Sequence, residues 1–169
     1  MIGDHGSKFN HRSRSHMDSL TYLLTHFSLQ VGVFYTGQLC GLHDFERDNV
    51  RGHLHLMRRG QVRLIGLQSQ VLDITEPTLI FLPRPDSHRL LADEQAGADV
   101  VGGNVLFGGG RRNPITDSLP EQVQVQLRDM PGVDVVLDLL FAEAFDGLPG
   151  RQAILDRLCE VLIVRLLRH

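Results

Sequence analysis

Four side chains in this sequence have types and spacing that can do chemistry together. Gly52-His53-Leu54-His55 places two imidazoles two residues apart. On an extended strand, residues i and i+2 point to the same face. His53 and His55 therefore project together, with Leu54 and Leu56 on the opposite side. Two imidazoles on one strand can ligate a transition metal when a third donor arrives from elsewhere. His88, which follows the Pro83-to-Ser87 break, is the natural third. Cys40, at the end of an early strand, can add a thiolate, and a thiolate with imidazoles favours zinc over magnesium or calcium. The same residues also read as polar lining of a pocket or as hydrogen-bonded core histidines. Cys40 reads equally as a small buried hydrophobe or as a redox thiol.

Other catalytic signatures are absent from the sequence. There is no Gly-x-Ser-x-Gly elbow and no phosphate-binding glycine loop with Lys-Ser/Thr. Gly108-Gly109-Gly110 lacks the following lysine and helix, and reads as an ordinary flexible loop. Arg58-Arg59 and Arg111-Arg112 read as solvated turns, and Asp44 to Asp48 as an exposed loop whose carboxylates approach the site.

Composition narrows the class further. With 169 residues, 42% hydrophobic and 22% charged, the chain can bury a real core as one domain. Aromatics are 6% and Trp is absent, which argues against a stacking platform for nucleic acid. Seventeen Lys and Arg face 20 Asp and Glu, for a net charge of −3. Residues 1–16 hold Lys8, Arg12, Arg14 and Asp4 but no apolar run, and read as a vector-derived or disordered leader. Removing those four leaves 14 basic and 19 acidic residues, a net −5, so this chain alone is a poor polyanion binder. Cys40 and Cys159 form no disulfide framework, which points to a reducing, cytoplasmic compartment. No apolar run approaches the roughly 18 residues of a membrane span.

The elements that must position these side chains follow from periodicity. Asp18 or Ser19 caps a short helix carrying Leu20, Leu23, Leu24 and Phe27. Strands are expected at 31–36, 53–57, 61–65, 70–74, 78–82, 88–91 and 99–107, with an edge strand near 123–127. Arg59-Gly60 reads as a hairpin turn joining the second and third of these. After Pro131-Gly132 the period becomes helical: Val133, Val136, Leu137, Leu140 and Phe141, then Leu155, Leu158, Leu162 and Leu166. That last stripe suits either packing on the sheet of its own chain or a dimer seam. The final helix reaches Arg168-His169 without a stop signal, so a longer native chain is expected.

Gly52-His53-Leu54-His55 with Gly60, followed by Leu82-Pro83-Arg84-Pro85-Asp86-Ser87-His88, resembles the two motifs of the cupin superfamily. The position of the first motif's glutamate falls near Arg58 or Arg59, neither of which ligates a metal. A closer resemblance spans residues 17–168. Met17-Asp18-Ser19-Leu20, Gly37-Gln38-Leu39-Cys40, Phe81-Leu82-Pro83 with His88-Arg89-Leu90, and Asn113-Pro114-Ile115 with Leu119-Pro120 look like the N-terminal cupin-type sensor domain of AraC/XylS-type transcription regulators.

This resemblance implies a mainly β, cupin-like antiparallel barrel (a double-stranded β-helix) over 17–130, then two helices over 131–169 for dimerisation and linkage. It implies no enzymatic activity, a homodimer, a small-molecule effector, and DNA binding only through a helix-turn-helix domain absent from this chain. Cys40, His55 and His88 are then the expected effector or redox site, and Cys40, His53, His55 and His88 the expected ligands of a zinc or similar ion. The rival reading is a stand-alone metal-dependent cupin enzyme using His53, His55 and His88.

Overall fold

The computed structural model describes residues 17–47, 49–66, 70–110 and 112–169. The leader of residues 1–16 and Arg111 lie outside them. Helix α1 (Ser19–His26) opens the chain, and Asp18 caps it by accepting from Thr21 N at 2.9 Å. Eight strands follow: β1 (Leu29–Leu39), β2 (Gly41–Phe45), β3 (Gly52–Arg59), β4 (Val62–Ile65), β5 (Val71–Ile74), β6 (Thr78–Leu82), β7 (His88–Ala92) and β8 (Ala98–Phe107). A short helix α2 (Pro114–Ser118) and strand β9 (Val123–Gln126) precede α3 (Asp134–Phe145) and α4 (Arg151–Leu167).

The described strands form two antiparallel sheets, ordered β1-β8-β3-β6-β9 and β2-β7-β4-β5. This is the mainly β, barrel-like architecture with two C-terminal helices that the sequence predicts. The hairpin expected at Arg59-Gly60 is not formed. β3 belongs to the larger sheet and β4 to the smaller, so the turn carries the chain between layers. Gly60 makes the crossing with φ of +90°, and a Cβ there would lie 2.5 Å from the Gly97 carbonyl oxygen. Short-range turn signals report a reversal but not whether its two arms pair. Asp44 and Phe45, the start of the segment read as loop, instead end strand β2, which is bonded to β7 from Gly41↔Ala92 to Phe45↔His88.

β3 is buried on both faces from Gly52 to Met57. Its outward side chains, Leu54 and Leu56, join Leu79, Phe81, Leu140, Phe141, Leu155 and Leu162 beneath the helices. Met57, Ile80, Leu82 and Leu90 form a second core between the sheets. Each fully buried aliphatic or aromatic side chain contributes about 1.5–3 kcal/mol. Gly52 is required where β3 begins, because a Cβ there would run into the Leu82 and Pro83 backbone.

The stripe of α4 packs on its own chain: Leu155, Leu162 and Leu166 are buried in the outer core. Its next face does something the sequence does not advertise. β1 is an edge strand, and Asp156 and Glu160 of α4 accept from Val33 N at 2.8 Å and Val31 N at 3.2 Å. Gln152 donates to Val33 O at 2.7 Å. Side chains four residues apart on one helix thus satisfy backbone groups that no neighbouring strand reaches. Arg58, read as a solvated turn residue, instead lies 4.1 Å over the Phe141 ring and pairs with Asp99 at 3.4 Å.

Candidate functional site

The fold brings His53, His55 and His88 together, each at most 4% exposed. His53 and His55 project from one face of β3, their rings 6.2 Å apart and nearly parallel at 15°. His88 opens β7 across the layer, with its ring 4.9 Å from His53 and 4.8 Å from His55. His55 Nε2 and His88 Nε2 are 2.6 Å apart, a hydrogen bond in which one ring donates and the other accepts.

Two aromatic rings that sequence reasoning missed complete the cluster. Phe45, at the end of β2, stacks on His88 at 5.0 Å and 8°, and meets His55 edge-on at 4.8 Å. Phe34 of β1 reaches both Phe45 and His53. Hydropathy gave no signal for Phe45, because the exposed positions of this strand are Leu42 and Asp44 and the half-buried ones His43 and Phe45. Gly102 of β8 leaves room for Phe34, whose ring would lie 3.2 Å from a Cβ there.

Electrostatics favour the neutral forms of His55 and His88. Burial, then the neighbouring His88 and His53, hold His55 well below the ordinary histidine range. Burial and His53 pull His88 down to about 4, with the Asp86 backbone opposing weakly. His55 Nδ1 and His88 Nδ1 make no hydrogen bond of good geometry. A buried nitrogen left unpaired, as at His55 Nδ1, costs about 1–3 kcal/mol.

Cys40, expected in this cluster, is exposed at the corner between β1 and β2. Leu39 takes the inward position at 0% exposure, so strand parity turns Cys40 outward, toward Gly97. The structure thus joins His53, His55 and His88 and leaves Cys40 outside. Cys159 is buried beneath α4, its thiol pushed up to about 12 by burial, which makes it unreactive.

Beside His88 opens a cavity of about 760 Å³. Its floor is apolar, formed by Leu64, Leu72, Leu82, Val105 and Phe107. Its walls are the Pro83–Asp86 segment, Arg47 and the start of α2. Arg84 donates to the Thr116 and Leu119 carbonyls at 2.6 and 2.9 Å, tying α2 to this wall. Asp86 Oδ1 is buried without a hydrogen bond, and burial raises the Asp86 pKa.

A family model named Cupin_6, described as cupin, matches residues 18–169. The chain belongs to the cupin family. The resemblance carried by Gly52–His55 and Leu82–His88 therefore holds for family and fold. The cupin is 25% identical over 177 aligned positions to an uncharacterized HTH-type transcriptional regulator of Haemophilus influenzae. The match covers 91% of this chain and 58% of that protein, so this cupin spans a little over half the length of that relative. Among solved structures it is similar to a variant of apo ToxT from Vibrio cholerae, at 12% identity and a TM-score of 0.47, over 83% of this chain and 56% of that one. It is also similar to unsaturated fatty acid bound ToxT from the same organism, at 12% identity and a TM-score of 0.44, over 80% and 52%.

The residues of this cupin do not fit a metal centre in the arrangement they adopt. Two nitrogens on one tetrahedral zinc sit roughly 3.3 Å apart, given bonds of about 2.0–2.1 Å. The His55–His88 nitrogens are closer, at 2.6 Å, and share a proton instead. Among the described residues no group of three or more His, Cys, Asp or Glu is arranged to hold a metal ion. No helix of the described residues is long and apolar enough to cross a membrane.

Proposed function

We propose that this cupin is the effector-sensing and dimerising half of an AraC-type transcription regulator, acting in the cytoplasm without enzymatic activity of its own. DNA is held by a separate segment that follows it in the gene product. The observation that carries this reading is the cavity beside His88, large enough for a small molecule and lined by an apolar floor with a few polar groups. The similarity to part of an HTH-type regulator supports the division of labour.

A small-molecule trigger suits the geometry better than the two other triggers the sequence raised. A zinc ion requires the His55 and His88 rings to part, and oxidation of Cys40 acts at an exposed corner outside the cluster. The effector works by binding two conformations with different affinity. The bonds from α4 to β1 give the route: β1 supplies Phe34 to the histidine cluster and Val31 and Val33 to α4. Val135 and Leu139 of α3, with Val161 of α4, are exposed and supply an apolar surface for a second copy.

The test uses the full-length gene product. Gly66 lines the cavity, and a Cβ there meets nothing within 4 Å among the described residues, so Gly66→Phe is the variant chosen to fill the space. A small-molecule extract of the host cell should shift DNA affinity of the wild type and leave Gly66→Phe unchanged. An equal shift in both proteins overturns the reading.

A further inference from the structure

Strand β1 changes faces part-way along. Val31 and Val33 point into the core beneath the helices, whereas Tyr35 and Leu39 belong to the core between the sheets. Residues an even number apart on a regular strand share a face, so one extra residue lies between Val33 and Tyr35. It is Phe34. Val33 pairs with Gly103 and Tyr35 with Gly102, which sets two steps of β1 against one of β8, a β-bulge. The bulge places Phe34 on the inner face, where its ring meets Phe45 at 5.8 Å and His53 at 6.3 Å yet stays 45% exposed. Side chains of α4 hold β1 on both sides of this residue. Gln152, Asp156 and Glu160 bond the Val33 and Val31 backbone before it, and Arg151 donates to Thr36 Oγ1 at 2.6 Å after it. A bulge has discrete positions, because moving it by one residue turns one side chain to the opposite face. One step toward the amino end turns Phe34 from the histidine cluster to the helix side, next to Val33, and re-aims the Val33 amide. The ring gives up little burial in that step.

We infer that the Phe34 bulge is a two-position switch: with the ring on the histidine cluster α4 grips Val31 and Val33, and with the ring turned out that grip is broken. An occupant of the cavity reaches the switch through packed side chains. His88 lines the cavity, Phe45 stacks on His88 at 5.0 Å, and Phe34 lies against Phe45. This inference rests on the reading of the cavity as the effector site and adds the moving part that carries its signal to α4.

Gly102→Ala tests the switch from a strand that supplies none of the α4 bonds. The added Cβ would sit 3.2 Å from the Phe34 ring and pushes it off the cluster. Hydrogen exchange of the full chain, read amide by amide, should then quicken about threefold or more at Val31 and Val33, with the β6 amides of Leu79 and Phe81 unchanged. In a Phe34→Ala background the methyl meets no ring, so adding Gly102→Ala should change Val33 no further. Where Gly102→Ala folds poorly, Phe34→Ala alone should quicken exchange at Val31, whose sequence neighbours it leaves intact. Exchange at Val33 unmoved by Gly102→Ala, quickened equally in both backgrounds, or matched by β6 overturns the switch, as does an unmoved Val31 in Phe34→Ala. These measurements need no ligand, so they stand apart from the Gly66→Phe experiment: a response lost in that variant with Val33 unmoved keeps the effector site and ends only the switch.

Discussion

The two faces of strand β3 differ more than any two regions of this molecule, although they alternate residue by residue. The outward face, Leu54 and Leu56, is sealed beneath α3 and α4 in a continuous apolar core. The inward face, His53 and His55, meets His88 and Phe45, and His88 in turn lines a cavity. Both are buried, but one holds groups that need nothing further and the other holds a His55 ring nitrogen, Nδ1, without a hydrogen bond of good geometry. The outer face therefore carries stability, and the inner face holds polar groups in a dry, tightly packed setting.

The largest effect expected from this contrast lies on the outer face. Leu56→Ala, at 0% exposure, should cost about 2–5 kcal/mol, read from the urea midpoint, because a cavity remains beneath rigid helices. A loss below 1 kcal/mol would show that this core is loosely packed and blur the distinction.

The inner face should be distinguished by pH. His88 titrates near 4 in the folded chain against about 6.5 unfolded, so between those values the unfolded state binds a proton that the native state does not. Stability present above pH 6.5 is then lost as pH falls toward 4, by on the order of 3 kcal/mol for His88, with His55 acting in the same direction. His88→Gln should flatten this slope in denaturation curves taken across that range. An unchanged slope in the variant would assign the pH dependence to other groups.

The smallest effect belongs to the edge where the outer face meets α4. Asp156→Ala removes the acceptor of Val33 N and should cost about 1 kcal/mol, with the Val33 amide exchanging hydrogen roughly fivefold faster. Protection that is unaltered there would mean that α4 does not hold β1, and the route from Phe34 to the C-terminal helix would fail.

Much of this was legible in the residues themselves. The alternation of His53, Leu54, His55 and Leu56 gave both faces of β3, and the prolines at 83 and 85 placed the break before β7. Asp18, the Pro131-Gly132 boundary and the stripe of α4 were equally direct, because caps, breakers and periodicity act over a few residues. Arg59-Gly60 misled, since a reversal between sheets and a hairpin use the same turn residues. Cys40 misled because placing it in the site needed the inward parity that Leu39 takes. Phe45 was hidden in a segment that reads as polar loop until β7 pairs with it.

By itself, the sequence determined which side chains share a strand face, where strands yield to helices, and that the chain resembles a cupin. The first two depend on local sterics and spacing, and the third on likeness to known motif residues. Only the tertiary structure decided that His88 meets His55 at hydrogen-bond distance, that Cys40 stays outside, that Asp86 lies beside an open cavity, and that α4 satisfies the edge of β1. Those contacts join residues 33 to 129 positions apart, and their geometry is set by how two sheets and two helices close on one another.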